Sequence, residues 1–391
     1  MNTTTHHPIA VVGGGLGGLT AAAVFHARGI EVPVFEAEAG RHVRTQGGML
    51  DIHAESGQLA LQAAGLMDEF RTLTHAGGEA TRVLDRDGTV LYEDFDDGSF
   101  QRPEIDRGRL RDLLLDALPR TTVRWGSKAV SVERAPGGQG RHQVTLDSGE
   151  TFTTDLLIGA DGAWSKVRPL LTDAWPAYTG ISFLEADLHD ADRLHPAEAA
   201  VMGPGMLFAL GGDTGILGHR ESDGSLHYYL GHRADEDWID TVDFTDPDPD
   251  IAKRTALELL DGWAPELRAL VANADSGMIA RRINALPPTL TWPRTPGVTL
   301  LGDAAHVMSP FAGEGANLAM FDGSRLAAAV ADHPGDTEAA LAAYESAMFA
   351  GAHASAADSA ENLQTIFSDG AAKNLAAMFT GFAQDAARTQ Q

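Results

Sequence analysis

The sequence predicts an α/β protein in which a domain built on parallel strands is interleaved with a mostly antiparallel β-sheet domain and followed by C-terminal helices. Three observations predict this class. A glycine-rich turn follows the apolar run 9–12 and opens a helical pattern. Two further apolar strands, near 155–159 and 298–301, end in turns that join an aspartate to a glycine. Between them, alternating apolar and polar stretches indicate half-buried antiparallel strands.

The first turn has the GxGxxG pattern at the exit of a strand, in the order Gly13, Gly14, Gly15, Leu16, Gly17, Gly18. Gly13 permits the tight turn, Gly15 lets the backbone approach a pyrophosphate, and Gly18 lets helix and strand pack closely. The helix N-terminus offers free N–H groups to phosphates. A second strand is expected over residues 30–35, and Glu36 at its end is placed to accept a hydrogen bond from an adenosine ribose. A Rossmann-like domain that binds a dinucleotide is therefore predicted.

Two later segments favour FAD as that dinucleotide. The strand near 155–159 ends in Asp161-Gly162, and the Asp161 carboxylate can fix this turn or accept from a ribose or amide. The strand near 298–301 runs into Gly302-Asp303, which places Asp303 beside the ribityl and phosphate part of the cofactor. A helix begins near Gly315, and the N–H groups of Gly315 and Asn317 would point at the negative side of a reduced flavin ring.

A helix over residues 107–118 is expected between these segments, with Asp106 as its N-cap and Pro119 at its end. Arg107 and Arg111 share one face of it. An arginine at such a position can bind phosphate or flavin oxygens, and a solvent-exposed arginine would have the same pattern.

Composition excludes several functions. The 391 residues carry 29 Lys and Arg against 55 Asp and Glu, a net charge of −26, so a nucleic acid would be repelled. No cysteine is present, which excludes thiol catalysis, and neither GxSxG nor HExxH occurs; no metal site is predicted. No apolar stretch approaches 18 residues, so a membrane span is not expected. We expect a cytoplasmic monomer.

The expected domains are interleaved. Residues 1–75, 103–172 and 285–330 are assigned to the FAD-binding domain, and residues 76–102 and 173–284 to a mostly antiparallel substrate domain. Residues 331–391 are assigned to C-terminal bracing helices, with Asp336 capping a helix that runs to about residue 367. At 1.5 Å per residue that helix is on the order of 45 Å long.

In order and spacing these motifs resemble those of the class A flavin-dependent monooxygenases, which carry GxGxxG, an IxRxxL-type helix, DGxxSxxR and GDAAHxxxPxxGxGxN. Within that family the chain is most similar to the tetracycline-inactivating flavin monooxygenases. The similarity rests on Gly47 to Leu66, Pro103 to Leu114 and Gly302 to Asn317.

The resemblance implies that NAD(P)H reduces FAD and that a flavin C4a-hydroperoxide then hydroxylates a polycyclic aromatic, phenolic or enolic small molecule, with tetracycline as one candidate. It further implies that Glu36, Asp51, Arg107 and Asp303 contact FAD. Arg44 would contact the nicotinamide cofactor, NADPH or NADH, which would dock transiently because the chain has one nucleotide-binding βαβ unit.

Four residues are expected at the substrate. Gly313 and Phe311 lie in the loop where substrate meets flavin, and His227 matches a pocket histidine of the family. Glu185 stands where close relatives carry a glutamine, and a carboxylate there would favour a cationic substrate group. Two other functions share the cofactor motifs: a flavin-dependent reductase that does not insert oxygen, and a non-catalytic protein that sequesters its ligand.

Overall fold

The computed structural model describes residues 5–43, 47–75, 77–95, 98, 100–136, 140–244 and 249–389, with the side chains of all but 249 and 382–389. Contacts divide the chain into two compact units. The first comprises Met1–Thr74, Arg107–Ala177 and Ala285–Ser359. The second comprises His75–Asp106, Tyr178–Asn284 and Ala360–Gln391.

The elements follow in chain order. The strands are β1 (Thr5–Val12), β2 (Val34–Phe35), β3 (Met49–Asp51), β4 (Thr81–Asp85), β5 (Val90–Asp94), β6 (Glu104–Asp106), β7 (Val123–Arg124), β8 (Ala129–Arg134), β9 (His142–Leu146), β10 (Thr151–Gly159), β11 (Ala177–Leu188), β12 (Met206–Gly211), β13 (Thr214–Arg220), β14 (Leu226–Arg233), β15 (Ile279–Ala285) and β16 (Val298–Leu300). The α-helices are α1 (Leu16–Ala27), α2 (Gly57–Ala64), α3 (Met67–Leu73), α4 (Arg107–Asp116), α5 (Ala191–Leu194), α6 (Pro196–Met202), α7 (Pro249–Leu259), α8 (Pro265–Ala272), α9 (Asp303–His306), α10 (Gly315–Asp332), α11 (Thr337–Ile366) and α12 (Ala371–Thr389).

The sheet of the first unit has the order β7, β2, β1, β10, β9, β8, with β16 also beside β10. The strands β2, β1, β10 and β16 are parallel, and the β8–β9 and β9–β10 pairs are antiparallel. The crossover from β1 to β2 contains α1, whose residues 16–25 are all buried. The carboxyl ends of β1, β10 and β16 therefore share one edge, which is where ligands bind in open parallel sheets.

The helices α1 and α10 cross at glycines. A Cβ at Gly17 would lie 2.6 Å from the Ala319 carbonyl oxygen, and one at Gly323 would lie 2.3 Å from the Gly17 oxygen. Neither position accepts a larger residue, because real Cβ atoms do not approach backbone atoms so closely. The crossing brings the glycine-rich turn and the start of α10 into one packed layer.

The sheet of the second unit has the order β15, β11, β14, β13, β12, β4, β5. The pairs from β11 to β12 are antiparallel, and β12 pairs in parallel with β4. One face of this sheet packs against helices in a core that includes Leu184, Ala186, Leu207, Tyr228, Leu230, Trp263, Leu267 and Leu270.

The predicted fold class is confirmed, with two corrections in detail. The second strand is not 30–35 but Val34–Phe35, since Pro33 has no N–H to give to the ladder. The strands β3, β4, β5, β6 and β15 had no sequence prediction. The helix expected from Asp336 is Thr337–Ile366, and the Asp336 carboxylate accepts from the Ala339 N–H at 3.2 Å. The cofactor, substrate and bracing roles of the three domains stay predictions.

Candidate functional site

The glycines of the first turn meet three different steric conditions. Gly13 has φ +109°, and a Cβ there would lie 2.1 Å from the Ala160 oxygen. A Cβ at Gly18 would lie 2.1 Å from the Gly13 oxygen. At Gly15, the N-cap of α1, a Cβ would have no heavy atom within 4 Å. The turn is thus closed against β10 and leaves open space before the helix N-terminus, as a phosphate cradle requires.

Glu36 lies directly beside this turn. Its Oε2 accepts from the Gly14 N–H at 2.5 Å, and its Oε1 accepts from the Glu38 N–H at 2.8 Å. Each carboxylate oxygen has a further lone pair. Glu36 therefore shapes the loop and keeps acceptor capacity for a ribose hydroxyl.

The turn after β10, which carries the second motif, is held by hydrogen bonds between its own residues. The Asp161 carboxylate accepts from the Ser165 hydroxyl at 2.6 Å and from the Lys166 N–H at 2.6 Å. Burial raises the pKa of Asp161, and these hydrogen bonds oppose the shift. Of the two roles expected for Asp161, fixing the turn is the one with direct contacts.

Arg168, the last residue of this motif, binds the third motif. Its guanidinium is buried and donates from Nε to the Ala304 oxygen at 2.8 Å and from Nη2 to the Ala163 oxygen at 2.6 Å. A longer contact of 3.3 Å reaches the Asp303 carbonyl oxygen. One side chain thereby holds the turn after β10 against the turn after β16.

The turn after β16 is also held from α10. Gly302 has φ +57°, and its N–H donates to Asp322 Oδ2 at 3.1 Å. His306 Nε2 lies 2.6 Å from the same oxygen. Burial opposes the charged imidazole, but the Asp322 carboxylate raises the pKa of His306 above its ordinary value. The Asp303 residue as a whole is exposed. Desolvation of its carboxyl raises the pKa of that group, and the charges of His306, Arg107 and Arg168 oppose the shift.

The start of α10 is tied to β3 through Asn317. Its Oδ1 accepts from the His53 N–H at 2.9 Å, and its Nδ2 donates to the carbonyl oxygens of Asp51 at 2.8 Å and Gly313 at 3.3 Å. The His53 ring lies between two carboxylates, with Nε2 2.8 Å from Asp51 and Nδ1 3.2 Å from Glu314. The Asn317 side chain is thus occupied by protein contacts, and only its backbone N–H is available for the predicted flavin contact.

His53, Glu55 and Glu314 each place one donor atom within 4.8 Å of the others. Both ring nitrogens of His53 are already bonded, to Asp51 and Glu314, so the ring has no free nitrogen for a metal ion.

The remaining predicted cofactor residues lie on the same unit. Arg107 begins α4 with an exposed side chain, and its N–H donates to the Gly48 oxygen at 3.1 Å. Arg111 instead is buried and pairs with Glu38 at 2.8 Å, so it anchors the loop after β2. In α10 the first backbone N–H that donates along the helix is that of Leu318, which binds the Glu314 oxygen. The N–H of Gly315 lies before it and has no acceptor within the helix. Arg44 lies outside the described residues.

These features fit FAD. The open space at Gly15 suits a pyrophosphate, the exposed Asp303 and Arg107 offer a hydrogen-bond acceptor and a cation, and the α10 N-terminus suits the anionic side of a reduced flavin.

We expect Asp303→Ala and Arg107→Ala each to weaken FAD binding at least about tenfold, because each removes a charge-assisted contact worth roughly 1.5–3 kcal/mol. Titration of the apoprotein with FAD by fluorescence measures the change. Asp332→Ala is the control, since this carboxylate pairs with Arg28 at the surface. Parental FAD affinity in both variants would show that these residues do not bind the cofactor.

In the second unit, one sheet face carries polar and aromatic side chains and is called here the mixed face. Residues that face one another across the strands form two rows on it. The first row is Met206, His219, His227 and Asp187, and the second is Phe208, Leu217, Tyr229 and Glu185. Most of these side chains are partly buried. Phe379 of α12 packs on Phe208 with ring centroids 5.9 Å apart. Partly buried aromatic and polar groups on one face are typical of small-molecule sites.

The two predicted substrate residues of this unit lie in adjacent rows of the mixed face. His227 Nδ1 is 2.7 Å from Asp187 Oδ1. Burial opposes protonation, but Asp187 raises the pKa of His227, and the same hydrogen bond lowers the pKa of Asp187. Glu185 is buried and accepts from Arg281 Nε at 2.5 Å. Its charge is therefore already paired, which its residue type alone did not indicate.

The other two predicted substrate residues, Phe311 and Gly313, lie in the first unit. Phe311 is in the 3-10 turn Pro310–Ala312, and Gly313 follows with φ +67°. Sequence reasoning did not assign roles to His53, Asp187 or His219. The alternation of β11 and β13 is the signal that could have placed Asp187 and His219 on the face of Glu185 and His227.

Comparisons with known proteins identify the family of this chain. The FAD binding domain family model matches residues 6–199 and 289–356, which is more than half of the chain. The chain is 29% identical to monooxygenase penA of Penicillium thymicola over 382 residues, covering 84% of this chain and 85% of penA.

Solved structures share the fold. HpxO of Klebsiella pneumoniae, complexed with FAD and uric acid, matches with TM-score 0.76 and 22% identity over 92% of this chain and 89% of HpxO. Tetracycline destructase Tet(51) matches with TM-score 0.65 and 20% identity over 90% of this chain and 88% of its own. Within the described ranges, no helix combines the length and apolar character needed to cross a membrane. The chain belongs to the FAD binding domain family, and the prediction of an FAD-dependent monooxygenase related to the class A enzymes is confirmed.

Proposed function

We propose that this chain uses NAD(P)H and O2 to hydroxylate a polycyclic aromatic, phenolic or enolic small molecule. The balanced reaction converts substrate, O2, NAD(P)H and one proton into hydroxylated substrate, NAD(P)+ and water. The observation that carries the proposal is the convergence of three motifs on one edge of the parallel sheet, with Gly15 open and Asp303 exposed. We further propose that the protein is a cytoplasmic monomer and that NAD(P)H binds to it transiently.

Bound FAD would supply the redox chemistry, taking electrons from NAD(P)H and activating O2. The protein's own residues would hold the cofactor and orient it. Arg168 fixes the two turns that carry Asp161 and Asp303, and Asn317 fixes the start of α10. Asp51, Glu36 and Arg107 are proposed FAD contacts on this frame, and Arg44 a nicotinamide contact.

Substrate recognition is proposed for the mixed face, with His227 and Glu185, and for the loop with Phe311 and Gly313. Tyr229 packs edge-on against His227 with ring centroids 4.6 Å apart, which gives an aromatic ligand both a flat apolar partner and a polar one. A cationic substrate group would have to compete with Arg281 for Glu185. Tetracyclines and uric acid enter the candidate set because structurally similar proteins are named for or bind them.

An oxygen-insertion assay tests the proposal. The FAD-loaded protein is incubated with NADPH or NADH, ¹⁸O2 and a panel containing tetracyclines, uric acid and phenolic polycyclic aromatics. We expect one product heavier by a single ¹⁸O atom, with one NAD(P)H consumed per product. NAD(P)H consumption without labelled product from any compound would indicate the reductase alternative. Ligand binding without NAD(P)H consumption would indicate a sequestering protein.

A further inference from the structure

Two side chains at one end of the mixed face have polar atoms that nothing in the described chain satisfies. His219 is 6% exposed; its Nε2 lies 3.4 Å from Glu104 Oε1, and its Nδ1 is buried without a hydrogen bond among the described residues. Oε1 of Glu221 is likewise buried without a hydrogen-bond partner among the described residues. Buried polar atoms are nearly always hydrogen-bonded, so these atoms are expected to bind a polar partner from outside the chain.

The two residues stand side by side on the same face. His219 lies in β13, Glu221 directly follows the strand in the same hairpin, and alternate residues of an extended chain point the same way. Arg220, between them, points to the opposite face and binds the Gly203 oxygen at 3.0 Å and Asp192 at 2.9 Å. The unsatisfied atoms of His219 and Glu221 are therefore directed together into the mixed face.

The backbone at this end is held firmly. The Glu221 N–H donates to the Ser225 oxygen at 2.9 Å, and the Gly224 N–H donates to the Glu221 oxygen at 3.1 Å. Within the turn, Asp223 accepts from the Ser225 hydroxyl at 2.6 Å and from its N–H at 2.9 Å. The position of Glu221 is thus set by the β13–β14 hairpin, as a preformed binding group requires.

The surrounding charges give the pair opposite hydrogen-bonding characters. Burial opposes a charged His219, but Glu104, whose Oε1 lies 3.4 Å from Nε2, raises the pKa of the ring. Burial raises the pKa of Glu221 to about 7; Asp106 and Asp223 add to the shift, while His219 and His227 oppose it. With the ring protonated, Nδ1 is a donor, and with the Glu221 carboxyl ionised, Oε1 is an acceptor.

We propose that His219 Nδ1 and Glu221 Oε1 form a polar subsite that binds a substrate edge with a carbonyl acceptor next to an N–H or O–H donor. The inference rests on the proposed function for the identity of the occupant as the substrate. It names the substrate class more narrowly, as aromatic ring systems with an amide-like or hydroxycarbonyl edge. His227, the neighbour of His219 in the same row, would lie next to that edge.

A pair of matched probes tests the subsite without turnover. Phenanthridinone has an N–H beside its carbonyl, and N-methylphenanthridinone keeps the ring system and the carbonyl but lacks the donor. Each is titrated into the FAD-loaded protein, and isothermal titration calorimetry gives Kd. We expect the parent protein to bind phenanthridinone at least about tenfold more tightly, the effect of one buried hydrogen bond to a charged group.

Two variants assign the preference to the two residues. Glu221→Met should bring the Kd ratio of the probes close to one, because the acceptor is lost. His219→Gln keeps an amide N–H for Glu104 but lacks Nδ1, so it should weaken both probes through their shared carbonyl. FAD content should stay at the parental level in both.

Glu198→Met is the matched control, because this buried acid of α6 already accepts from Asn273 at 2.6 Å. It should lower the Tm and keep the probe preference, whereas Glu221→Met should not lower the Tm. Failure of phenanthridinone to bind, equal binding of the two probes by the parent protein, or a preference that survives Glu221→Met would overturn the subsite. Since the titration needs neither NAD(P)H nor O2, its failure is separate from failure of the oxygen-insertion assay.

Discussion

Gly15→Val is expected to abolish FAD binding in a protein that still folds. The backbone at Gly15 has φ −76° and ψ 179°, which valine adopts readily, and a Cβ there meets no protein atom within 4 Å. The isopropyl group would instead fill the space before the N-terminus of α1, where the pyrophosphate is expected to lie. Flavin absorbance of the purified protein and the Tm of the apoprotein are the two measurements.

Two further glycine variants separate ligand blockage from misfolding. Gly277→Val also places a side chain in open space, away from the motifs, and should keep both FAD and Tm. Gly18→Val should prevent folding, because its Cβ would lie 2.1 Å from the Gly13 oxygen. A yellow Gly15→Val protein with full FAD occupancy would contradict the cradle assignment.

Arg168→Met is expected to lower the free energy of unfolding by about 3 kcal/mol, since it leaves one buried and two partly buried carbonyl oxygens without this donor, at about 1–3 kcal/mol for a buried one. These are the oxygens of Ala163 and Ala304 and, more distantly, of Asp303. Urea denaturation of the apoprotein measures the loss.

Arg193→Met is the control for that experiment. Arg193 is 70% exposed and pairs with Asp190 one helical turn away, so its removal should change stability by no more than about 0.5 kcal/mol. Equal denaturation midpoints for the two variants would mean that the Arg168 guanidinium does not stabilise the packing of the turn after β10 against the turn after β16.

Features with a local physical cause could be predicted from the sequence. The φ of Gly13 and the clash at Gly18 follow from a tight turn between a strand and a helix, so the GxGxxG spacing was enough to place them. The same holds for the start of α4 directly after Asp106 and for the N-cap at Asp336. In each case the residues that make the structure are neighbours in the chain.

Features that depend on distant partners could not be predicted. His53 and Glu314 meet across 261 positions, and Glu185 meets Arg281 across 96. A carboxylate in a sequence does not show whether a cation from another strand will neutralise it, and this determines what Glu185 can offer a ligand. The unsatisfied atoms of His219 and Glu221 are likewise visible only once burial is known.

The interleaved strand order of the first unit has a consequence for synthesis of the chain. The parallel sheet places β10 (Thr151–Gly159) between β1 (Thr5–Val12) and β16 (Val298–Leu300), so its centre joins segments made at the start, middle and end of translation. At roughly 5–20 residues per second, β10 waits on the order of ten seconds for its partner strand β16 to be made. During that interval an apolar strand has an unpaired neighbouring edge, a known hazard for aggregation. A nascent chain stalled after residue 284 should therefore be sensitive to protease across residues 5–159, and protection should appear only when residues 298–332 have left the ribosome.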